Sequence, residues 1–349
     1  MKTAKWRSHF LLILFLLIVQ TMNAQNNTLS SAQQSLVKIS SLTATGNLDD
    51  LKVKLNEGMD AGLTINEIKE ALTQLYAYCG FPRSLNSLNT FKTVLDERKA
   101  KGISDIVGKE IIVENNVPNK YEQGIKVLEE ITKTPQSKPA PGFGEFAPRI
   151  DAFLKEHLFA DIFAVDVLTY QQRELVTISA LASITGVEGQ LKAHIGIGKN
   201  TGITDDQLAE AADIIQTTIN KTQANTIRKI IGVSEVPVID TDMIVRIAEL
   251  DILPEYLKEY LQIMNENAAL SLVKEKGVIS IFPIASVDKP NQIQIVEIYA
   301  NINAYESHLK TAHFQNYKTS TLKMIKSLKL IDMKALDPNK MMEIFTKLK

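Results

Sequence analysis

Leu36-Val-Lys-Ile-Ser-Ser-Leu42 and Leu175-Val-Thr-Ile-Ser-Ala-Leu181 agree at five of seven positions. Downstream, Leu51–Leu72 aligns without a gap on Leu191–Ala212, with seven identities in 22 positions. The offset moves from 139 to 140 between the blocks, a single-residue slip in the turn that joins them. Two collinear matches of this kind mark a duplicated unit. In each copy a glycine helix stop precedes a capping box, Gly62-Leu-Thr64-Ile-Asn-Glu67 and Gly202-Ile-Thr204-Asp-Asp-Gln207. The threonine oxygen accepts an orphan amide of the new helix, and the Glu or Gln reaches back to the cap's own N–H. Apolar residues then recur at i, i+4, i+7 and i+11: Ile68, Leu72, Leu75, Cys79 and Leu208, Ala212, Ile215, Ile219. That is helical spacing, so each copy is expected to be all-α, with Cys79 on its buried stripe.

Working outward, Thr134-Pro-Gln-Ser-Lys-Pro-Ala-Pro-Gly-Phe-Gly144 is dense in breakers and reads as loop between the copies. Beyond residue 236 the texture changes. Met243–Leu250 is strand-like, Pro254 opens a helical pattern to about Lys276, and Val278–Ala285 and Gln292–Ala300 read as strands. Helix follows from about Asn303 to Met324, with a last strand near Leu328–Met333. The order β-α-β-β-α-β is that of a ferredoxin-like α+β domain. At the other end, Lys2, Lys5 and Arg7 precede an unbroken apolar run, Phe10–Val19, and a small residue, Ala24. This is the pattern of a cleavable signal peptide over residues 1–24, and the run is too short to span a bilayer. The expected parts are therefore 1–24 signal, 25–115 and 116–235 helical copies, 240–335 α+β domain, and 336–349 tail.

Composition narrows the chemistry. The 349 residues are 45% hydrophobic and 23% charged, ordinary globular values. Lys+Arg 39 against Asp+Glu 40 leaves a net charge of −1 with no basic run, which argues against a nucleic-acid partner. One cysteine cannot form an intrachain disulfide, a CxxC pair or a multi-cysteine metal site. Cleavage at Ala24 would leave a protein without stable membrane insertion in a secreted, or in a Gram-negative cell periplasmic, location.

Arg173–Ala211, RELVTISALASITGVEGQLKAHIGIGKNTGITDDQLAEA, resembles the carboxymuconolactone decarboxylase family, relatives of the alkylhydroperoxidase-like proteins. Gly62–Leu88, GLTINEIKEALTQLYAYCGFPRSLNSL, and the linker segment KYEQGIKVLEEI resemble it too. Gln292–Tyr317, QIQIVEIYANINAYESHLKTAHFQNY, resembles the antibiotic-biosynthesis-monooxygenase type of ferredoxin-like domain. The resemblance implies two alkylhydroperoxidase-like helical domains followed by that α+β domain. It implies, further, cofactor-free chemistry on a small-molecule substrate and a homo-oligomer. Peroxidase relatives carry C-x-x-C-x-x-x-H. Counting back from His194 those positions hold Val187 and Gln190, and counting back from Lys54 they hold Asn47 and Asp50. Dithiol peroxide reduction is thereby disfavoured.

What remains in the second copy is Glu174, His194 and Arg173, matching the family's cysteine-free branch. A carboxylate can hold an imidazole in one tautomer, and the imidazole can exchange a proton near neutral pH; Arg173 could bind a substrate carboxylate. The competing structural reading is a helix-start glutamate and a histidine satisfied at a helix interface. The first copy has Ser35 and Lys54 at the two positions. Glu70 and Glu210 recur one turn past each capping box and read most simply as solvated or helix-start carboxylates, with a catalytic role as the alternative, while Tyr78 and Arg83 border a turn and read as helix-end packing or pocket lining. In the α+β domain, alternation puts Ile293, Ile295, Glu297 and Tyr299 on one strand face, with His308 and His313 on the next helix. Their i, i+5 spacing sets them about 140° apart around the helix axis, a poor zinc pair, so neither a metal nor a cofactor is expected. Decarboxylase-like acid–base chemistry on a carboxylated or enolisable metabolite is the leading expectation. The alternatives are cofactor-independent oxygenation of quinone- or phenol-type substrates through Glu297, Tyr299, His308 and His313, and a non-catalytic ligand-binding scaffold.

Overall fold

A computed structural model describes residues 28–112, 118–238 and 242–336. The expected signal peptide and the end of the C-terminal tail lie outside the described residues. Among those described, no helix is long and apolar enough to cross a membrane. The chain divides into two compact units, up to Val236 and from Pro237.

In the first unit the duplication is visible element by element. Copy one has α1 (Ser31–Thr45), α2 (Leu48–Asp60), α3 (Ile65–Gln74), α4 (Tyr76–Cys79) and α5 (Phe81–Ala100). Copy two has α7 (Tyr170–Ala182), α8 (Glu188–Asn200), α9 (Asp205–Thr218) and α10 (Lys221–Ile231), after a linker helix α6 (Lys120–Thr132). Both expected capping boxes form: Thr64 caps α3 with Glu67 reciprocating, and Thr204 caps α9 with Gln207. Two more open α1 (Ser30 with Gln33) and α7 (Thr169 with Gln172).

The two copies share a core. Val176 and Ala180 of α7 belong to the cluster built on Leu36, Leu51, Leu55 and Leu72, while Val37 of α1 belongs to the one built on Ile178, Leu191 and Leu208. Helices α1 and α7 are the central pair, and Arg173 through Ala182 are all buried. Small residues let neighbouring helices close on them. A Cβ at Gly58 would sit 3.1 Å from Ile39 Cδ1, and one at the equivalent Gly198 3.0 Å from Ile178 Cδ1. Cys79 is only half-buried: the helix ends at Gln74, and after buried Leu75 a separate turn, α4, begins.

The breaker-rich stretch is irregular up to Gly142, as its composition predicts, but the linker is not all loop. Phe153–Ile162 winds as a π-helix against α6, with its own core of Val127, Leu128, Ile131, Phe159 and Phe163. Inside it, the buried Lys155 ammonium is held by Asp151, the Tyr121 hydroxyl and the Ser137 carbonyl.

The second unit has the expected order: β1 (Ile244–Ile252), α11 (Leu257–Lys274), β2 (Val278–Ala285), β3 (Gln292–Tyr299), α12 (Ile302–His308), α13 (Ala312–Thr321) and β4 (Ile325–Met333). The strands form one antiparallel sheet in the order β2-β3-β1-β4. Ile293, Ile295 and Tyr299 face the helices and pack on Tyr260, Met264 and Ala268 of α11. The opposite face carries Gln292 and Gln294, exposed, and Val296 and Ile298, half-buried. The helix expected from 303 to 324 is broken instead. Its first part ends at His308, and Thr311 starts the second by accepting the Phe314 amide hydrogen. A hydroxyl that competes for backbone amides is a natural place to restart a helix.

Candidate active sites

The second copy's polar pair is assembled as its spacing suggests. The carboxylate of Glu174, near the start of α7, lies 2.8 Å from Nδ1 of His194 on α8. Glu174 is wholly buried and His194 nearly so. The close approach of α8 to α7 at Gly198, one turn beyond His194, lets the two side chains meet. Glu174 Oε1 is buried without a hydrogen-bond partner among the described residues, so one carboxylate oxygen holds the imidazole. An ionised Glu174 accepting there would place a proton on Nδ1 and leave Nε2, which makes no hydrogen bond to a described residue, open to exchange one.

The ring of Tyr78 from copy one stands edge-on to His194, with centroids 5.3 Å apart. The site is therefore built from both copies. Burial, together with the Glu174 charge, pushes the Tyr78 phenol well above its ordinary value, so it remains a neutral hydrogen-bond donor at neutral pH. The corresponding positions of copy one hold no such pair. Ser35 donates to the Ser31 carbonyl of its own helix, and Lys54 pairs with Glu57. Cys79 donates to the Leu75 carbonyl, and burial raises its thiol to about 11, which makes it a poor nucleophile.

Arg173 is placed differently from a substrate-binding arginine. It is fully buried, and its guanidinium donates to Glu70 (3.0 Å), Gln74 (3.0 Å) and the Val165 carbonyl (2.6 Å). Glu70 is thus not a solvated carboxylate, and neither is Glu210, which accepts from the Leu29 amide (2.7 Å) and Gln34 Nε2 (2.8 Å). By the repeat offset Gln34 is the counterpart of Arg173. Each copy's glutamate clamps the first helix of the other, and the two helix-start side chains are the posts. No property of either copy taken alone points to this, because the partner lies in the other copy.

In the second unit, the Glu297 carboxylate and the Tyr299 hydroxyl lie 3.2 Å apart on the helix-facing side of β3. Burial raises the Glu297 carboxyl above its ordinary range, against the opposing pull of Tyr299 and Arg246. Tyr260 and Tyr317 share a hydrogen bond of 2.7 Å nearby, and burial raises both phenols. His308 and His313 do converge. The break between α12 and α13 removes the 140° separation that a continuous helix would impose, and both rings reach Glu275, at 2.9 and 2.7 Å. His308 and His313 are therefore neighbours, contrary to the separation their i, i+5 spacing predicts. Glu275, at the end of α11, carries no distinguishing sequence signal.

These two sites sit in recognisable families. The carboxymuconolactone decarboxylase family model matches residues 14–93 and 148–231, and the antibiotic biosynthesis monooxygenase model matches residues 243–320. A Bacteroides thetaiotaomicron protein assigned to antibiotic biosynthesis monooxygenases is 40% identical over 28% of this chain and 93% of its own, with a TM-score of 0.28. Counterparts from Nitrosomonas europaea and Caulobacter crescentus are each 19% identical over 28% of this chain, covering 95% and 92% of theirs, with TM-scores of 0.27. No curated protein matches significantly. The chain carries two carboxymuconolactone-decarboxylase-family segments, followed by a C-terminal unit that belongs to the antibiotic biosynthesis monooxygenase family.

Proposed function

We propose that this protein is a cofactor-free acid–base enzyme of the carboxymuconolactone decarboxylase type, acting on a small carboxylated or enolisable metabolite at Glu174 and His194. The observation that carries the reading is the 2.8 Å bond from His194 Nδ1 to a wholly buried carboxylate. A buried carboxylate stabilises the imidazolium that forms when Nε2 takes a proton, and it keeps the ring aimed as that proton is returned. In a decarboxylation the imidazolium would protonate the carbanion or enolate left by carbon dioxide loss. Engaged by Glu70, Arg173 is not free to bind a substrate carboxylate, and Tyr78 is the copy-one side chain that borders His194. We further propose that residues 1–24 direct export, leaving a secreted or periplasmic protein, and that it works as a homo-oligomer. Its partner is then a small molecule rather than nucleic acid or membrane.

A second reading is favoured by one feature of the C-terminal unit. Burial raises the Glu297 carboxyl above its ordinary range, against the pull of Tyr299, within a family whose model is that of a monooxygenase. A group that exchanges protons there could deprotonate a phenol or quinol before oxygen attack. A mass-spectrometric screen of cyclic carboxylates, lactones and quinols separates the two. Loss of carbon dioxide, or solvent deuterium uptake, from a carboxylate supports the first reading; gain of oxygen by a quinol supports the second. Binding without turnover of any compound contradicts both.

A further inference from the structure

We infer that Glu275, His308 and His313 form a binding site for a first-row divalent transition-metal ion, independent of any chemistry at Glu174 and His194. The three side chains come from the end of α11, the end of α12 and the start of α13. One ligand atom from each lies within 4.8 Å of the other two. His308 Nδ1 and His313 Nε2 both address the same oxygen, Glu275 Oε1, at 2.9 and 2.7 Å. Zinc bonds to imidazole nitrogen and carboxylate oxygen are about 2.0–2.2 Å, which puts neighbouring tetrahedral ligands roughly 3.4 Å apart. Seating the ion requires the Glu275 oxygen to retreat by about 0.5–0.7 Å and the two imidazole nitrogens to lie within about 4.2 Å of each other.

Charge points the same way. Glu275 is largely buried, and among the described residues no lysine or arginine pairs with it; the two histidines are its ion-pairing partners. With both imidazoles neutral, as ligation requires, the Glu275 carboxylate has no cationic partner among these contacts, and a divalent cation would neutralise it. Two nitrogens and one oxygen suit zinc, iron, cobalt or manganese better than magnesium or calcium, which prefer all-oxygen shells. With three protein ligands the ion keeps at least one open position. The Thr311 hydroxyl donates to the His308 carbonyl and lies 3.2 Å from His313 Nε2, the nitrogen the ion would take, so that second contact gives way on binding. The His308 ring is wedged against Tyr299 and Phe314, at 5.4 and 4.6 Å between centroids. Such packing fixes the direction of a ligating ring before the ion arrives.

The test uses the untagged full-length protein, stripped with chelator and titrated with Co²⁺ by visible absorption and with Zn²⁺ by calorimetry. One equivalent per chain is expected, with the ligand-field bands of a four- or five-coordinate N/O site. X-ray absorption of the zinc-loaded protein should fit two imidazoles. His313→Gln and Glu275→Gln, each checked for native circular dichroism, should abolish the cobalt bands and weaken zinc at least about a hundredfold, since even outer-shell changes cost 10–100-fold. Failure of the wild type to bind stoichiometrically, a fit with fewer than two imidazoles, or unchanged bands in either folded variant would overturn the assignment.

Discussion

Removing Glu70 alone should destabilise the helical unit far more than any surface ion pair, because Arg173 would be left charged in the interior. Arg173 is fully buried and the Glu70 side chain 8% exposed, so water cannot replace the lost partner. Breaking one side of a buried pair typically costs about 3–5 kcal/mol. The Gln74 and Val165 acceptors remain, which favours the lower end of that range for Glu70→Ala. For a unit of roughly 200 residues, each kcal/mol shifts the melting temperature by about 2–4 °C, so a fall of about 6–12 °C is expected at that lower end. The combined Glu70→Leu, Arg173→Met variant should recover more than half of the loss, since an apolar pair of similar volume removes both desolvation penalties. As a control, Lys92→Ala, which breaks an exposed pair with Asp96, should leave the melt unmoved. Thermal and urea unfolding followed by far-ultraviolet circular dichroism would measure all four proteins. A loss below about 1 kcal/mol for Glu70→Ala, or a double variant as unstable as the two singles added together, would refute the clamp.

Gly124→Ala should destabilise the linker pair by about 1–3 kcal/mol or prevent its docking, because the new Cβ would lie 1.8 Å from the Lys155 carbonyl oxygen, a backbone atom that cannot swing aside; limited proteolysis of the linker reads this out. Glu297 is raised by burial, so the folded state holds its proton more tightly than the unfolded one. Its contribution to stability is therefore lost as pH rises from the ordinary glutamate range to the raised folded value. Glu297→Gln should consequently stabilise the C-terminal unit at neutral pH and not at pH 3, as measured by melting at the two pH values. Deleting residues 237–349 should lower the oligomer order in sedimentation without unfolding the helical part, because half-buried Val296 and Ile298 and exposed Phe282 and Ile284 leave an apolar strip on the second sheet face beside Gln292 and Gln294. An unchanged subunit number would count against it.

The duplication, both capping boxes and the β-α-β-β-α-β order were readable because each rests on spacing within one segment: Thr64 with Glu67, Thr204 with Gln207, alternation along β3. The meeting of Glu174 with His194 was readable for the same reason, since one tight turn joins their helices. What depended on contact between distant segments was not. Arg173 looks available for a substrate until Glu70, 103 positions away, is seen to hold it. Tyr78 reaches His194 only because the copies interlock. The π-helix carries no periodicity that distinguishes it from an ordinary helix of the same residues. His308 and His313 converge on account of one threonine, whose hydroxyl restarts the backbone between them.

The central claim is that Glu174 and His194 move protons as a unit, and the kinetics of their variants test it most directly. On whichever carboxylate or lactone the wild type transforms, Glu174→Gln and His194→Asn should each lower kcat by about 10²–10⁴-fold. The double variant should lose little more than the weaker of the two singles, as groups acting in one step do. Full additivity of the two losses, or variants that turn over like the wild type, would contradict the account.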